Sequence, residues 1–342
     1  MSIRVLIVED SPIALTILKR ILTSSTEIKI VGTARTGQEG LELIPTSQPD
    51  VICTDFFMPT MDGLEFTAQV MTKYPRPILV VSASVQEDDP HRIFQLLEAG
   101  AVDILPKPKA GLDPENMLLK QALINKIKVL SGVKVFKKKR PAQHNNKAGG
   151  LGHLHPRDGI MAIGASTGGP MALQSLFASL PENFPLPIVC VQHISRGFLQ
   201  GLLDWLNGTS NLSIRIAPVG ERPRPGIIYF PPERQHLTLD SSGRFVYSQA
   251  LPGDSHCPSV TTLFSSIAKV HGRKTIGVLL TGMGRDGADG MKAIAEAGGT
   301  TIAQDKSTSV VFGMPKEAIA LGAVHQVLPI DAIALAVLQL VS

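Results

Sequence analysis

The stretch Met161-Ala-Ile-Gly-Ala-Ser166-Thr-Gly-Gly-Pro170 decides the fold of the second half of the chain. Its apolar start predicts a buried strand, its glycines predict a tight turn, and Met171–Ser179 then has a helical pattern. Residues 164–168 match G-x-S-x-G, a motif that exposes a nucleophilic serine when it lies between a strand and a helix. We therefore expect an α/β domain with Ser166 at the carboxyl end of a strand.

Two other apolar runs end at residues that would complete a hydrolytic triad. His193 follows Ile188–Val191, and Asp286 follows Thr275–Leu280. Parallel strands end at one edge of their sheet, so residues far apart in sequence can meet there. Serine, histidine and aspartate in these places predict a nucleophile, a general base and a carboxylate that orients the base.

The same residues also allow other interpretations. Glycine-rich turns also bind phosphates at helix N-termini, although this stretch lacks the lysine of a P-loop and the spacing of a dinucleotide motif. Asp286 could instead cap a helix that begins near Ala288, a role for which Asp289 is the better candidate. Two more histidines, His236 and His256, occupy predicted loops that could face a substrate.

The first 130 residues alternate strand and helix signals at regular intervals. Apolar runs predict five strands, over Ile3–Val8, Ile28–Thr33, Val51–Thr54, Ile78–Val81 and Ala101–Leu105. Amphipathic stretches predict helices between and after them, including Pro12–Thr23, Gly63–Tyr74 and Glu115–Leu130. Five βα units of this kind predict a parallel sheet with helices on both faces.

Acidic residues follow the first and third of these strands. Glu9, Asp10 and Asp55 would crowd one pocket, and carboxylates that close together favour a cation. Oxygen ligands suit Mg²⁺, which would also neutralise charge if one carboxylate accepted a phosphoryl group. Ser82 and Lys107 come after the fourth and fifth predicted strands. The Ser82 hydroxyl and the Lys107 ammonium group could bind that phosphoryl group.

Composition and charge limit the domain organisation. The 342 residues are 44% hydrophobic and 18% charged, which indicates a globular chain long enough for two domains. Residues 129–158 carry 7 Lys and Arg against 1 acidic residue, with little apolar periodicity, which predicts a polar tether. We expect domains over residues 1–130 and 159–342, joined by a linker over residues 131–158.

Several classes of protein are disfavoured. Residues 159–342 carry 13 basic and 12 acidic residues and no basic recognition helix, so nucleic-acid binding is not expected. No apolar run is long enough for a membrane span, and the acidic start does not resemble a signal peptide, so we expect a cytoplasmic protein. The absence of heptads predicts a monomer. Three cysteines, two of them in apolar runs, predict neither a disulfide framework nor a zinc site.

The N-terminal motifs resemble the receiver domain of bacterial two-component response regulators. They are Val8-Glu-Asp-Ser11, Asp55-Phe-Phe-Met-Pro-Thr-Met-Asp-Gly63, Ser82-Ala83 and Lys107-Pro108. This resemblance implies a flavodoxin-like sheet in the order 2-1-3-4-5, a phosphoryl acceptor at Asp55, Mg²⁺ on Glu9, Asp10 and Asp55, and a histidine kinase as donor. The chain has Glu9 where aspartate is commoner, and Ile104 where an aromatic residue is common.

The C-terminal motifs resemble the catalytic domain of chemotaxis protein-glutamate methylesterases. They are Ile163–Gly169, Val191-Gln-His193, Cys257-Pro-Ser-Val260, Thr281–Gly287 and Phe312-Gly-Met-Pro315. The resemblance implies a doubly wound, mainly parallel sheet, and a serine hydrolase that demethylates glutamyl γ-methyl esters and deamidates glutamines on methyl-accepting chemoreceptors, without a cofactor.

The same resemblance assigns roles to individual residues. It implies Ser166 as nucleophile, His193 as general base and acid, and Asp286 as its partner, with the N–H groups of Thr167 and Met283 as oxyanion donors. Thr261 stands where an acidic residue is common.

The order of the two domains suggests a form of regulation. If the unphosphorylated receiver covers the serine, phosphorylation of Asp55 would raise activity by weakening that contact. Three alternatives are a second domain that only binds a partner, a general esterase or amidase for small molecules, and a DNA-binding output.

Overall fold

The computed structural model describes residues 2–82, 90–109, 111, 114–133, 135, 159–251, 254 and 256–342. They form two compact units, one before and one after residue 140. The predicted linker over residues 131–158 lies almost wholly outside the described residues, so its limits stay a prediction. Within the described residues, no helix combines the length and the apolar character that a membrane crossing requires.

The N-terminal unit alternates strands and helices, as predicted. The elements are β1 (Ile3–Val8), α1 (Pro12–Thr23), β2 (Ile28–Ala34), α2 (Gly37–Ser47), β3 (Val51–Thr54), α3 (Gly63–Lys73), β4 (Ile78–Ser82), α4 (Pro90–Ala99), β5 (Asp103–Pro106) and α5 (Pro114–Leu130). The five described strands are parallel in the order β2-β1-β3-β4-β5, which confirms the expected fold.

Most of the predicted strand boundaries that differ from the structure are off by one residue, and the largest difference is at the start of β5. β5 begins at Asp103 rather than Ala101. The Ala101 N–H bonds the carbonyl of Leu96, so this residue closes the end of α4 after Gly100, whose φ is +119°. A glycine with positive φ commonly ends a helix in this way. Ile104, which stands where an aromatic residue is common in receiver domains, is buried in β5.

The C-terminal unit is built on a second parallel sheet. Its strands are β6 (Ile160–Ala165), β7 (Ile188–Gln192), β8 (Ser213–Ile216), β9 (Ile227–Phe230), β10 (Gln235–Leu239), β11 (Phe245–Gln249), β12 (Thr275–Leu279), β13 (Thr300–Gln304) and β14 (Gln326–Leu328). Its helices are α6 (Gly169–Ala178), α7 (Leu199–Asn207), α8 (Val260–His271), α9 (Ala288–Glu296), α10 (Met314–Ala320) and α11 (Ile330–Val341). Seven of the described strands pair in parallel in the order β14-β13-β12-β6-β7-β9-β8, while β10 and β11 form a separate antiparallel hairpin.

The strand order creates a crevice at the carboxyl end of β6. From β6 the chain crosses to β7 on one side and later returns to β12 on the other. In open α/β sheets, ligands bind where the direction of crossing reverses. The loops after β6, β7 and β12 carry Ser166, His193 and Asp286 to this crevice.

Candidate active site

Ser166 lies directly after β6, at the start of the turn that leads into α6. Its N–H donates to the carbonyl of Thr281 (3.0 Å), which ties the turn to the segment after β12. Gly168 has a φ of +76°, which favours glycine and lets the chain turn sharply into the helix. The Ser166 side chain is only half-buried, so a substrate can reach it.

His193 follows β7 and lies next to Ser166 because the two strands are in register. Ala165 pairs with Gln192, and the His193 N–H donates to the carbonyl of Ala165 (2.9 Å). The residues after a parallel pair of this kind lie about 5 Å apart. The register of β6 and β7 therefore brings the serine and the imidazole together.

The imidazole of His193 bonds the carboxylate of Asp286. Its Nε2 lies 2.9 Å from Asp286 Oδ2, and its Nδ1 is buried without a hydrogen-bond partner in the described part of the chain. Because an ionised carboxylate only accepts, Nε2 carries the proton of the neutral ring and Nδ1 carries the lone pair. The Ser166 hydroxyl makes no hydrogen bond to Nδ1 here. Such bonds are often longer in proteins without substrate and form when it binds.

Asp286 is held by several donors besides His193. Oδ1 accepts from the Ser259 hydroxyl (3.0 Å) and the Thr261 N–H (2.9 Å), and Oδ2 accepts from the Val260 N–H (2.8 Å). These donors form the N-terminus of α8, whose dipole also favours an anion. Burial alone would raise the pKa of Asp286, but His193 and these N–H groups hold it well below its usual range. These contacts therefore favour the ionised form of the carboxylate.

Two peptide groups beside Ser166 are fixed in direction. The carbonyl of Ser166 accepts from the Gly169 N–H (2.7 Å) and from Gln192 Nε2 (2.9 Å). The carbonyl of Gly282 accepts from the N–H groups of Gly313 (3.1 Å) and Met314 (2.9 Å). In a trans peptide the N–H points opposite to the preceding carbonyl, so the directions of the Thr167 and Met283 N–H groups are set.

Gly282 also brings these two turns close together. A Cβ atom added at Gly282 would lie 2.8 Å from the Cβ of Ser166, closer than real Cβ contacts come. Only glycine therefore lets the backbone before Met283 approach the serine. Fixed N–H groups in such a place cost no reorganisation when charge develops on a bound carbonyl oxygen.

Gln192 had no role predicted from the sequence, whereas His256 was expected to lie near the substrate. Gln192 is buried and its amide also donates to the carbonyl of His193 (2.8 Å), so it holds the backbone of both turns. His256 stacks on His193, with ring centroids 4.2 Å apart and planes 4° apart. Partial burial, followed by the adjacent imidazole of His193, lowers the pKa of His256, which favours its neutral form.

Two expectations about neighbouring residues were wrong. His236 lies in β10 and is 4% exposed, so it cannot face a substrate from a loop. Asp289 does not cap α9: Gly287 is the N-cap residue and no side chain bonds there. Asp289 instead pairs with Arg285 (2.7 Å), because its side chain lies on the exposed face of the helix.

The receiver unit gathers its predicted residues at the carboxyl ends of β1, β3, β4 and β5. Lys107 Nζ lies 2.9 Å from Glu9 Oε1 and 2.6 Å from Asp55 Oδ2. The Ser82 hydroxyl is buried without a hydrogen-bond partner among the described residues, yet lies near enough to Asp55 to lower the pKa of that carboxyl. Burial outweighs this and leaves the pKa of Asp55 raised.

This pocket has the chemistry of a magnesium site. Glu9, Asp10 and Asp55 each offer an oxygen, and these atoms lie within 4.8 Å of one another. Glu9 Oε2 is buried and accepts no hydrogen bond in the described part of the chain, and burial raises the pKa of this carboxyl despite Lys107. A hard divalent cation would satisfy that oxygen, so the residues fit Mg²⁺.

Each of the two units matches a known protein family. The family model described as CheB methylesterase matches residues 161–337, and the response regulator receiver domain model matches residues 5–118. A protein-glutamate methylesterase/protein-glutamine glutaminase of Nitrosospira multiformis is 40% identical, with 99% of this chain and 97% of that protein covered. One from Hahella chejuensis is 42% identical over 95% of this chain and 94% of its own length.

A solved structure supports the catalytic unit in particular. The CheB methylesterase catalytic domain of Thermotoga maritima is 41% identical, with a TM-score of 0.52, and covers 53% of this chain and 98% of its own. Together with the full-length relatives and the two family models, this shows that the chain belongs to the family of receiver-linked protein-glutamate methylesterases/protein-glutamine glutaminases.

Proposed function

We propose that this chain removes methyl groups from glutamyl γ-methyl esters on the cytoplasmic helices of methyl-accepting chemoreceptors, and deamidates glutamines there. Phosphorylation of the receiver by a histidine kinase stimulates both reactions. The observation that carries the proposal is the hydrogen bond between His193 and Asp286 beside Ser166, at the strand edge where α/β enzymes bind ligands. Full-length relatives named for these two activities support the substrate class.

The geometry supports acyl transfer through Ser166. The serine oxygen attacks the ester carbonyl carbon while His193 Nδ1, the nitrogen with the free lone pair, takes its proton. Charge that develops on the carbonyl oxygen is stabilised by the Thr167 and Met283 N–H groups. The bond to the methoxy oxygen then breaks, His193 returns the proton to it, and methanol leaves.

Deacylation repeats these steps with water as the nucleophile. His193 takes a proton from water, the hydroxide oxygen bonds the acyl carbon, and the serine oxygen leaves with the proton that His193 returns. The product is a glutamate side chain. A primary amide follows the same course and releases ammonia, a poorer leaving group, so deamidation is the slower reaction.

The receiver residues divide the work of phosphorylation among them. Asp55 accepts the phosphoryl group. The positively charged Lys107 side chain, which contacts Asp55, binds this group, and the Ser82 hydroxyl donates to one of its oxygens. Mg²⁺ held by Glu9, Asp10 and Asp55 would neutralise charge on the phosphoryl oxygens. Since its substrates are cytoplasmic helices, we place the protein in the cytoplasm, and we expect a monomer.

Replacing Asp55 with asparagine should abolish stimulation by a small phosphodonor and leave basal methanol release intact. The amide keeps the size of the side chain but cannot accept a phosphoryl group. Methanol release from methylated receptor membranes, with and without phosphodonor, measures both quantities. Asp62→Asn is the matched control, because Asp62 caps α3 outside this pocket and asparagine caps helices equally well.

Two results would contradict separate parts of this proposal. Stimulation that persists in Asp55→Asn would remove Asp55 as the acceptor. Faster turnover of a small soluble ester than of methylated receptor would favour a general esterase.

A further inference from the structure

We infer that His236 is a positioning residue for the triad: it holds the segment 256–259, which in turn fixes Asp286 and His193. The inference rests on the proposed function, because it assigns a task in that same site. It starts from a chain of hydrogen bonds that runs from Asp254 through His236 and Ser259 to Asp286.

The bonds of His236 define its protonation. Its Nδ1 accepts from the Ser259 N–H (3.2 Å), so this nitrogen carries a lone pair. Its Nε2 lies 3.0 Å from Asp254 Oδ2 and therefore carries the proton and donates. The ring is 4% exposed in the hairpin strand β10. It is thus a neutral imidazole with one defined tautomer.

Asp254 holds that tautomer from the outer side. Its Oδ2 also accepts from the Leu251 N–H (2.7 Å), and this bond, followed by that from His236, lowers the pKa of Asp254. A carboxylate can only accept here, so it keeps the proton on Nε2 and leaves Nδ1 free for Ser259. The Asp254 side chain is 35% exposed, so water can reach this end of the chain of bonds.

Ser259 passes the restraint to the catalytic carboxylate. It is the N-cap residue of α8, where its hydroxyl accepts from the Thr262 N–H (3.2 Å) and donates to Asp286 Oδ1 (3.0 Å). The next two N–H groups, of Val260 and Thr261, donate to the same carboxylate. A shift of Ser259 would therefore disturb three of the bonds that orient Asp286.

The same segment also touches the catalytic imidazole. His256, three residues before Ser259, stacks on His193 at 4.2 Å. His236 thus anchors a segment that contacts both members of the His193–Asp286 pair. Displacements of about 1 Å in a catalytic group can cost on the order of 100-fold in rate, even when the cause lies outside the site.

Two substitutions of His236 separate its two bonds. In His236→Asn the amide oxygen lies near the place of Nδ1 and still accepts from Ser259, while water replaces the bond to the exposed Asp254. In His236→Gln the amide nitrogen reaches the place of Nε2 and donates to Asp254, but the acceptor for Ser259 is lost. Catalysis should follow the Ser259 bond.

We expect His236→Gln to lower kcat for methanol release roughly 10- to 100-fold with little change in KM, and His236→Asn to restore most of it. Rates are expressed per folded enzyme, with the folded fraction taken from circular dichroism and gel filtration. His325→Gln is the matched control: its Nδ1 also accepts a backbone N–H, from Thr301 (3.1 Å), at the opposite end of the sheet.

The outcomes are decisive in either direction. A kcat per folded enzyme that is unchanged in His236→Gln, or lowered equally in His236→Asn, would overturn the inference. If neither variant folds, Asp254→Leu decides, because leucine cannot accept the proton of His236 Nε2 and so no longer fixes the tautomer: we expect a lower kcat, and a normal kcat would refute the role. Wild type that does not outperform Ser166→Ala would instead refute the proposed function itself.

Discussion

Methanol release by Ser166→Ala should fall by about 10⁴- to 10⁶-fold, because the oxygen that forms the acyl bond is gone. Substrate binding should change little, since Ser166 is a small, half-buried side chain and the N–H groups of its turn remain. Residual hydrolysis would come from the oriented N–H groups acting on attack by water. The assay is methanol release from methylated receptor membranes with phosphodonor present.

A matched control for this substitution is Ser179, which directly follows the end of α6. Ser179→Ala removes an exposed hydroxyl that bonds only the carbonyl of Ser175 (2.9 Å) in the described part of the chain, and should leave the rate unchanged. Activity of Ser166→Ala near that of wild type would favour the alternative in which the second domain only binds a partner.

Asp286→Asn should lower kcat by about 10⁴-fold through the tautomer of His193. An amide nitrogen in the place of Oδ2 would donate toward Nε2, which would move the ring proton to Nδ1 and remove the lone pair that accepts the serine proton. The same nitrogen would oppose the Val260 N–H, which now donates to Oδ2. Single-turnover methanol release measures the loss in the chemical steps.

Asp289→Asn tests whether charge alone explains such a loss. It removes a nearby carboxylate that is paired with Arg285 on the surface, and should leave kcat within about twofold, as exposed ion pairs contribute little. Equal losses in the two variants would show that net charge, rather than the tautomer, is responsible.

Much of the fold could be predicted because strand ends are visible in sequence. Each apolar run that stops at a polar residue marked a carboxyl end, and parallel register then brought Ser166 beside His193. The boundaries of strands and helices are harder to predict. Ala101 is apolar, yet it closes a helix because its N–H is already used there.

The surroundings of the triad could not be predicted in the same way. The donors to Asp286 come from Ser259, Val260 and Thr261, which meet it only because α8 begins at that point in space. A polar residue before an apolar helix predicts an N-cap. It does not predict which other group the side chain of that residue will bind. His236 gave a weaker signal still, because its role depends on a hairpin folding back onto that cap.

The most direct test of catalysis through Ser166 is to look for the acyl-enzyme itself. The substrate ester and a seryl ester have alkoxide leaving groups of similar basicity, so acylation and deacylation should have comparable rates, and part of the enzyme should be acylated at saturating substrate. Wild-type enzyme turning over a methylated receptor fragment is quenched in acid, digested and examined by mass spectrometry. We expect the glutamyl adduct on the peptide that carries Ser166. Steady methanol release with Ser166 unmodified, or an adduct on another residue, would contradict catalysis through Ser166.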